Sequence, residues 1–169
     1  MFLNKIRLFV TLVYLPNTIK LFPGQFMVTR VTDGDTVKVV NDGIKTTIRL
    51  VGIDAPETSK KKNQPGQPFS RKSTQYLASL VLNKSVEVKS YGSDRYGRTL
   101  GVVFVSGKNM NLEMVKAGLA EVYRGRPAGG IDLGPYWTAE AEAKKASTGM
   151  WALRDKYISP KEWRRMNKK

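Results

Sequence analysis

"RVTDGDTVKVVNDGIKTTIRLVGIDAPE", Arg30 to Glu57, is the stretch that sets the fold. Val37 and Val39 alternate with Thr36 and Lys38, and Ile44, Thr46, Ile48 and Leu50 then share a second face. That is a period of two, interrupted by Asn41-Asp42-Gly43, a hairpin signal. Two antiparallel strands are therefore predicted. Asp33 and Asp35 stand one glycine apart just where the first of them begins. Asp and Gly are poor strand residues, and a carboxylate facing a core is costly unless a cation meets it. Read alone, D-G-D is a turn in which Gly34 supplies backbone freedom and the aspartates bond their own amides. Alternatively, one carboxylate points at a metal or another polar group.

Outward from this hairpin, the period of two starts at Met27, giving a further strand before it. The lysine-rich "TSKKKNQPGQP" reads as a loop, because its glycine and prolines preclude a helix. From Ser70 the period is helical, with Leu77, Leu80 and Val81 on one face and Asn83 as a stop. "SVEVKSY" and "RTLGVVFV" read as two more strands joined through "GSDRYG". Asn111 is expected to cap a short helix holding Leu112 and Val115, ended by Gly118, and a last helix is expected over Tyr136–Ser147. Five short strands, with a helix after the third, predict an α+β fold: a five-stranded OB-type Greek-key β-barrel with three helices. The domain is expected over 27–152, followed by a basic tail at 153–169.

The chain has 169 residues, a formal net charge of +15 and a pI near 10.1. Such an excess of positive charge favours a polyanionic partner, nucleic acid before membrane. There is no cysteine and no histidine. Thiol catalysis, zinc fingers, imidazole bases and His-bound zinc are thereby excluded. Phosphate chemistry would have to come from carboxylates, arginines, lysines, tyrosines and a hard, oxygen-liganded cation. Residues 1–26 differ: Lys5 and Arg7 precede the uncharged run Leu8 to Leu15. This resembles a short signal or anchor segment, too brief to span a membrane. A secreted, periplasmic or membrane-attached protein is expected. The alternative is a cytoplasmic product starting at Met27, and N-terminal sequencing of fractionated native protein decides between them.

Three segments carry the chemistry: Asp33–Asp35; "IRLVGIDAPE" with Arg49, Asp54 and Glu57; and "DRYGRTLG" with Arg95, Tyr96 and Arg98. The hairpin brings Asp35 beside the Arg49–Asp54 stretch. Each piece has an ordinary structural reading: a strand exit at Asp54-Ala55-Pro56, a loop carboxylate at Glu57, a snorkelling arginine at Arg49, a surface turn at Asp94–Arg98. Gathered at one barrel edge, they need a shared reason.

"DGDTVKV", "IRLVGIDAPE" and "DRYGRTLG", followed by "GLAEVY" and "AEAEAKKASTGMW", resemble the staphylococcal nuclease (thermonuclease) family over about Met27 to Trp151. The resemblance implies an OB-type barrel and calcium-dependent cleavage of DNA and RNA to 3′-phosphate products. It implies calcium ligation by Asp35, Asp54 and the Ala55 carbonyl, catalysis by Arg49, Glu57 and Arg98, and nucleotide contacts by Arg95, Tyr96 and Tyr123. At Ala55 the best-known member has threonine, a change that leaves a carbonyl ligand intact. Asp33 is expected to order the turn. DNA and RNA are the expected partners, with no protein partner implied, a monomeric chain, and membrane association only through residues 1–26. A non-catalytic OB-type binding module, or a basic ribonucleoprotein component, explains the charge but not the full acidic and arginine set.

Overall fold

A computed structural model describes residues 25–59 and 63–167. The signal-like segment up to residue 24, the run Lys60 to Lys62 and the last two residues lie outside it, and the expectations placed on them go with them. Strand β1, Gln25–Asp33, begins two residues before the expected domain boundary, and Phe26 already packs against the core.

β2, Thr36–Asn41, and β3, Ile44–Leu50, form the predicted hairpin, in register from Thr36↔Arg49 to Asn41↔Ile44. Its two-residue loop has Asp42 at φ 47° and Gly43 at φ 78°. Both left-handed, they make the primed turn that matches strand twist. β5, Ser85–Ser93, and β6, Thr99–Val105, are the other two expected strands. The sheet runs β3-β2-β1-β5-β6, and a parallel pairing of Ile48, Arg49 and Leu50 with Thr99, Leu100 and Gly101 closes it. Closure leaves five strands with no free edge between them, in OB-type order. Short β4 (Ile53–Asp54) pairs outside this barrel with β8 (Glu121–Val122), and β7 (Lys108–Asn109) extends β6.

Inside sit Val28, Val37, Val39, Ile48, Leu50 and Val103, each almost wholly buried. Helix α1, Ser70–Val81, closes the barrel with Ser73, Leu77 and Val81, one residue per turn along its buried stripe. Helix α2 (Met110–Lys116) adds Met114 and Val115, and α3 (Gly134–Lys145) covers α2. The three expected helices are thus present. Past α3 come a 3₁₀ segment, Gly149–Lys156, and a fourth α-helix, α4, Pro160–Met166, where only a basic tail was expected.

Asn111 is a correction. Asn109 caps α2, accepting from the Leu112 amide at 3.0 Å, while Asn111 lies fully buried inside the helix. Its side chain accepts from Val103 N (3.0 Å) and donates to Val51 O (2.9 Å) and Gly101 O (3.0 Å). It thus stitches α2 to β6 and to the end of β3. Replacing it with alanine orphans Val103 N–H and Val51 O, whereas Gly101 O keeps the Val51 amide. Asn111→Ala should cost about 2–4 kcal/mol of stability, read by denaturant unfolding. A change within error would mean the stitch contributes nothing.

Candidate active site

Asp35 is set by the turn that opens β2. Its amide donates to Asp33 Oδ1 at 3.1 Å, so Asp33 does order the turn. Gly34 serves a different end from the one expected, since its φ is not left-handed. A Cβ there would stand 1.9 Å from Ser73 Oγ and 2.7 Å from Ala55 Cβ. Glycine is required by clearance beneath α1, and the same crowding seats Asp35 against Ala55.

The Thr36↔Arg49 register places Arg49 beside Asp35. The Arg49 guanidinium donates from Nη1 to Asp35 Oδ1 (2.5 Å) and from Nη2 to Asp54 Oδ1 (3.0 Å). Asp35 also accepts from Thr36 Oγ1 (3.0 Å) and from the Ala55 amide (2.9 Å). Asp35 and Asp54 are 2% and 1% exposed. Burial pushes the Asp35 carboxyl well above the usual aspartate range; Arg49 opposes this, and Asp33 and Asp54 add to it. Burial works against the Arg49 charge, but Asp35 and Asp54 outweigh it and hold the guanidinium more firmly protonated.

Asp54 owes its place to the outer ribbon, where it faces Glu121 across β4 and β8. That ribbon is locked to α3 by buried Glu140, which accepts from Val122 N (2.8 Å), Arg124 (2.6 Å) and Lys144 (2.8 Å). Burial raises the Glu140 carboxyl, but those three hydrogen bonds outweigh it and hold it below its usual range. Tyr123 follows directly, its amide on Gly52 O at 2.9 Å and the residue 38% exposed.

Glu57 is pinned through its backbone by buried Gln67, which takes the Glu57 amide on Oε1 (3.0 Å) and gives its own amide to Glu57 O (2.9 Å). Its carboxylate meets Arg164, a residue of α4 within the expected basic tail. Arg164 donates to Glu57 Oε1, to Asp54 Oδ1 (2.9 Å) and to Asp54 Oδ2 (2.7 Å). One signal for α4 was legible: Ser159, Pro160 and Glu162 make a capping pattern, and Ser159 Oγ does accept from the Glu162 amide at 3.1 Å. Nothing in the tail pointed to Asp54.

Arg95, Tyr96 and Arg98 form a second cluster in the β5–β6 loop. Asp94 organises it, accepting from the amides of Tyr96 (2.9 Å) and Arg98 (3.0 Å) and from Arg98 Nε (2.7 Å). Arg95 lies 4.8 Å from the Tyr96 ring centre and donates to its hydroxyl at 2.7 Å. Tyr96 is 68% exposed. Among the described residues the Arg98 guanidinium bonds Asp94, not the first cluster; the closing β3–β6 pairing sets it at the same rim, next to Thr99, the partner of Ile48. The structure therefore joins Asp35, Arg49, Asp54 and Ala55 directly, adds Glu57 through Arg164, and leaves Arg95, Tyr96, Arg98 and Tyr123 as separate pieces, Arg98 half-buried and the others exposed.

The closed OB-type barrel thus carries buried, arginine-bridged carboxylates at its rim and an arginine–tyrosine cluster in its β5–β6 loop, groups whose chemistry suits a cation and a phosphate. The family described as "Staphylococcal nuclease homologue" matches residues 47–153, and the chain belongs to it. An uncharacterized endonuclease of Haemophilus influenzae is 39% identical over 142 residues, 83% of this chain and 73% of that protein. An uncharacterized endonuclease of Escherichia coli O157:H7 is 40% identical over 81% of this chain and 82% of its own length. A protein of Shigella flexneri named micrococcal nuclease is 36% identical over 83% and 80%. The chain is a nuclease, a phosphodiester hydrolase whose substrate is nucleic acid.

Proposed function

We propose that this nuclease is calcium-dependent, cleaves both DNA and RNA with little sequence preference, and leaves 3′-phosphate products. The observation that carries the metal reading is the single Arg49 fork spanning Asp35 and Asp54. Two buried carboxylates already face a common cationic position. With Glu57 they make three acids against Arg49 and Arg164, an excess of negative charge that a cation relieves. Among the described residues no group of three or more His, Cys, Asp or Glu side chains is spaced as a metal cage. An ion here would be held by Asp35, Asp54, the Ala55 carbonyl and water, an all-oxygen set that suits calcium's flexible shell. Calcium would supply Lewis-acid polarisation of a phosphate oxygen.

The chain's own residues do the rest. Glu57, its backbone fixed by Gln67, orients the attacking water and takes its proton. Arg49 and Arg98 bind the non-bridging phosphate oxygens through planar forks as charge grows there; the bond to the 5′-oxygen breaks, and that oxygen takes up a proton from solvent to leave as a hydroxyl. Arg95 contacts the phosphate backbone, while Tyr96 and Tyr123 offer exposed rings on which bases stack. A binding module without catalysis would need none of the buried acids. Plasmid nicking with calcium, with magnesium and with chelator tests the reading. Cleavage should require calcium and vanish in the Asp35→Ala, Asp54→Ala double variant. Full activity in chelator would sink the metal assignment, and no cleavage under any condition would favour the module.

A further inference from the structure

Arg164 lies beyond residue 153, where the family match ends, yet it makes the most complete contact with the acids of the site. Its guanidinium spans both oxygens of Asp54 and reaches Glu57 from the same Nη1. Asp54 has almost no contact with solvent, and Glu57 is about one quarter exposed on its side chain. The segment that brings Arg164 there is tied down independently of it. Tyr157 OH donates to buried Glu121 Oε2 at 2.6 Å, and Trp151 packs on the Tyr157 ring, centres 4.6 Å apart. Gln67 Nε2 donates to Ile158 O at 2.7 Å, and Pro160 is buried at the start of α4. Gln67 is the residue that also fixes the Glu57 backbone. One buried amide therefore sets both Glu57 and the approach of α4.

A carboxylate has about four lone-pair sites; Arg49 and Arg164 together take both on Asp54 Oδ1 and one on Oδ2, which leaves a site on Oδ2 for a cation. Arg49 bonds Asp35 and Asp54 but not Glu57, so without Arg164 nothing cationic would bridge Asp54 to Glu57, and like charge would drive those two acids apart. We infer that Arg164 is a positioning residue of the nuclease reaction: its fork holds the Asp54 and Glu57 carboxylates at a fixed separation, one toward the cation and one toward the attacking water. The inference rests on the roles given above to those two acids.

The test uses the full chain with Arg164→Ala and Arg164→Lys, measuring kcat and KM, thermal unfolding and calcium binding by calorimetry. Arg164→Ala should lower kcat about 10–100-fold, as removal of a partner that orients an active group does, with KM and the unfolding temperature little changed. Lysine should recover only part, because an ammonium cannot span two oxygens. Low-millimolar guanidinium chloride should restore a share of the lost kcat in Arg164→Ala, where equal sodium chloride does not. That rescue is a readout a purely structural role would not produce. An unchanged kcat, or a loss that guanidinium leaves untouched, overturns the inference. So does a faster enzyme with tighter calcium binding, which would make α4 a plug. Glu57→Gln is measured alongside: if it is fully active, the role of Glu57 fails first and takes this inference with it.

Discussion

Arg49→Ala and Arg98→Ala are expected to lose activity together and stability apart. Both arginines are assigned to the phosphate, and removing one transition-state donor costs about 10²–10³ in turnover. Their structural duties are unequal. Arg49 is the cation of buried Asp35, its side chain 17% exposed against 3% for the acid. Taking away one member of a buried pair leaves the other uncompensated, worth about 3–5 kcal/mol. Arg98 pairs with Asp94 at the rim, with side chains 29% and 16% exposed, and such pairs contribute about 0–1 kcal/mol. Its backbone amide continues to hold Asp94 after truncation. Denaturant unfolding in chelator, which removes any contribution of bound ion, should show Arg49→Ala well below the parent and Arg98→Ala close to it. Equal stabilities, or near-normal cleavage by Arg98→Ala, would refute the assignment.

That asymmetry was only half legible in the sequence. The period of two and Asp42-Gly43 fix the β2–β3 register, and register alone puts Arg49 opposite Thr36, beside Asp35. Ordered motifs located the acids because they sit within one hairpin and its exit. The local pattern put the α2 cap at Asn111, ahead of Leu112 and Val115, whereas Asn109 holds that place. What decides is that one side chain finds three buried backbone partners. Nor could D-G-D reveal that Gly34 clears Ser73 of a distant helix. Arg164 is the extreme case, 110 positions from Asp54. Its charge read as part of a solvated basic tail, and only the docking of Tyr157, Ile158 and Pro160 gives it a direction. Contacts between neighbours in sequence were readable; contacts made by tertiary closure were not.

Glu57→Gln separates the base from the ligands. The amide is nearly the same size and keeps an oxygen that can accept from Arg164, so Asp54, Arg164 and the Gln67 ties should persist. What disappears is a group able to take a proton from water, a contribution of about 10²–10⁴ in rate. The expected result is a loss of turnover of that order, with substrate binding and the fold retained. Because Glu57 is outside the proposed ligand set, calorimetry should still detect calcium binding in Glu57→Gln, whereas Asp54→Ala should lose it. If Glu57→Gln abolishes calcium binding as fully as Asp54→Ala does, Glu57 is a ligand rather than a base. The water would then need another acceptor. Among the acids joined at this rim, Asp35 and Asp54 are both engaged by Arg49, so the choice would fall on solvent or on the substrate itself. A variant that keeps the ion and loses only the rate leaves Glu57 as the residue that moves the proton.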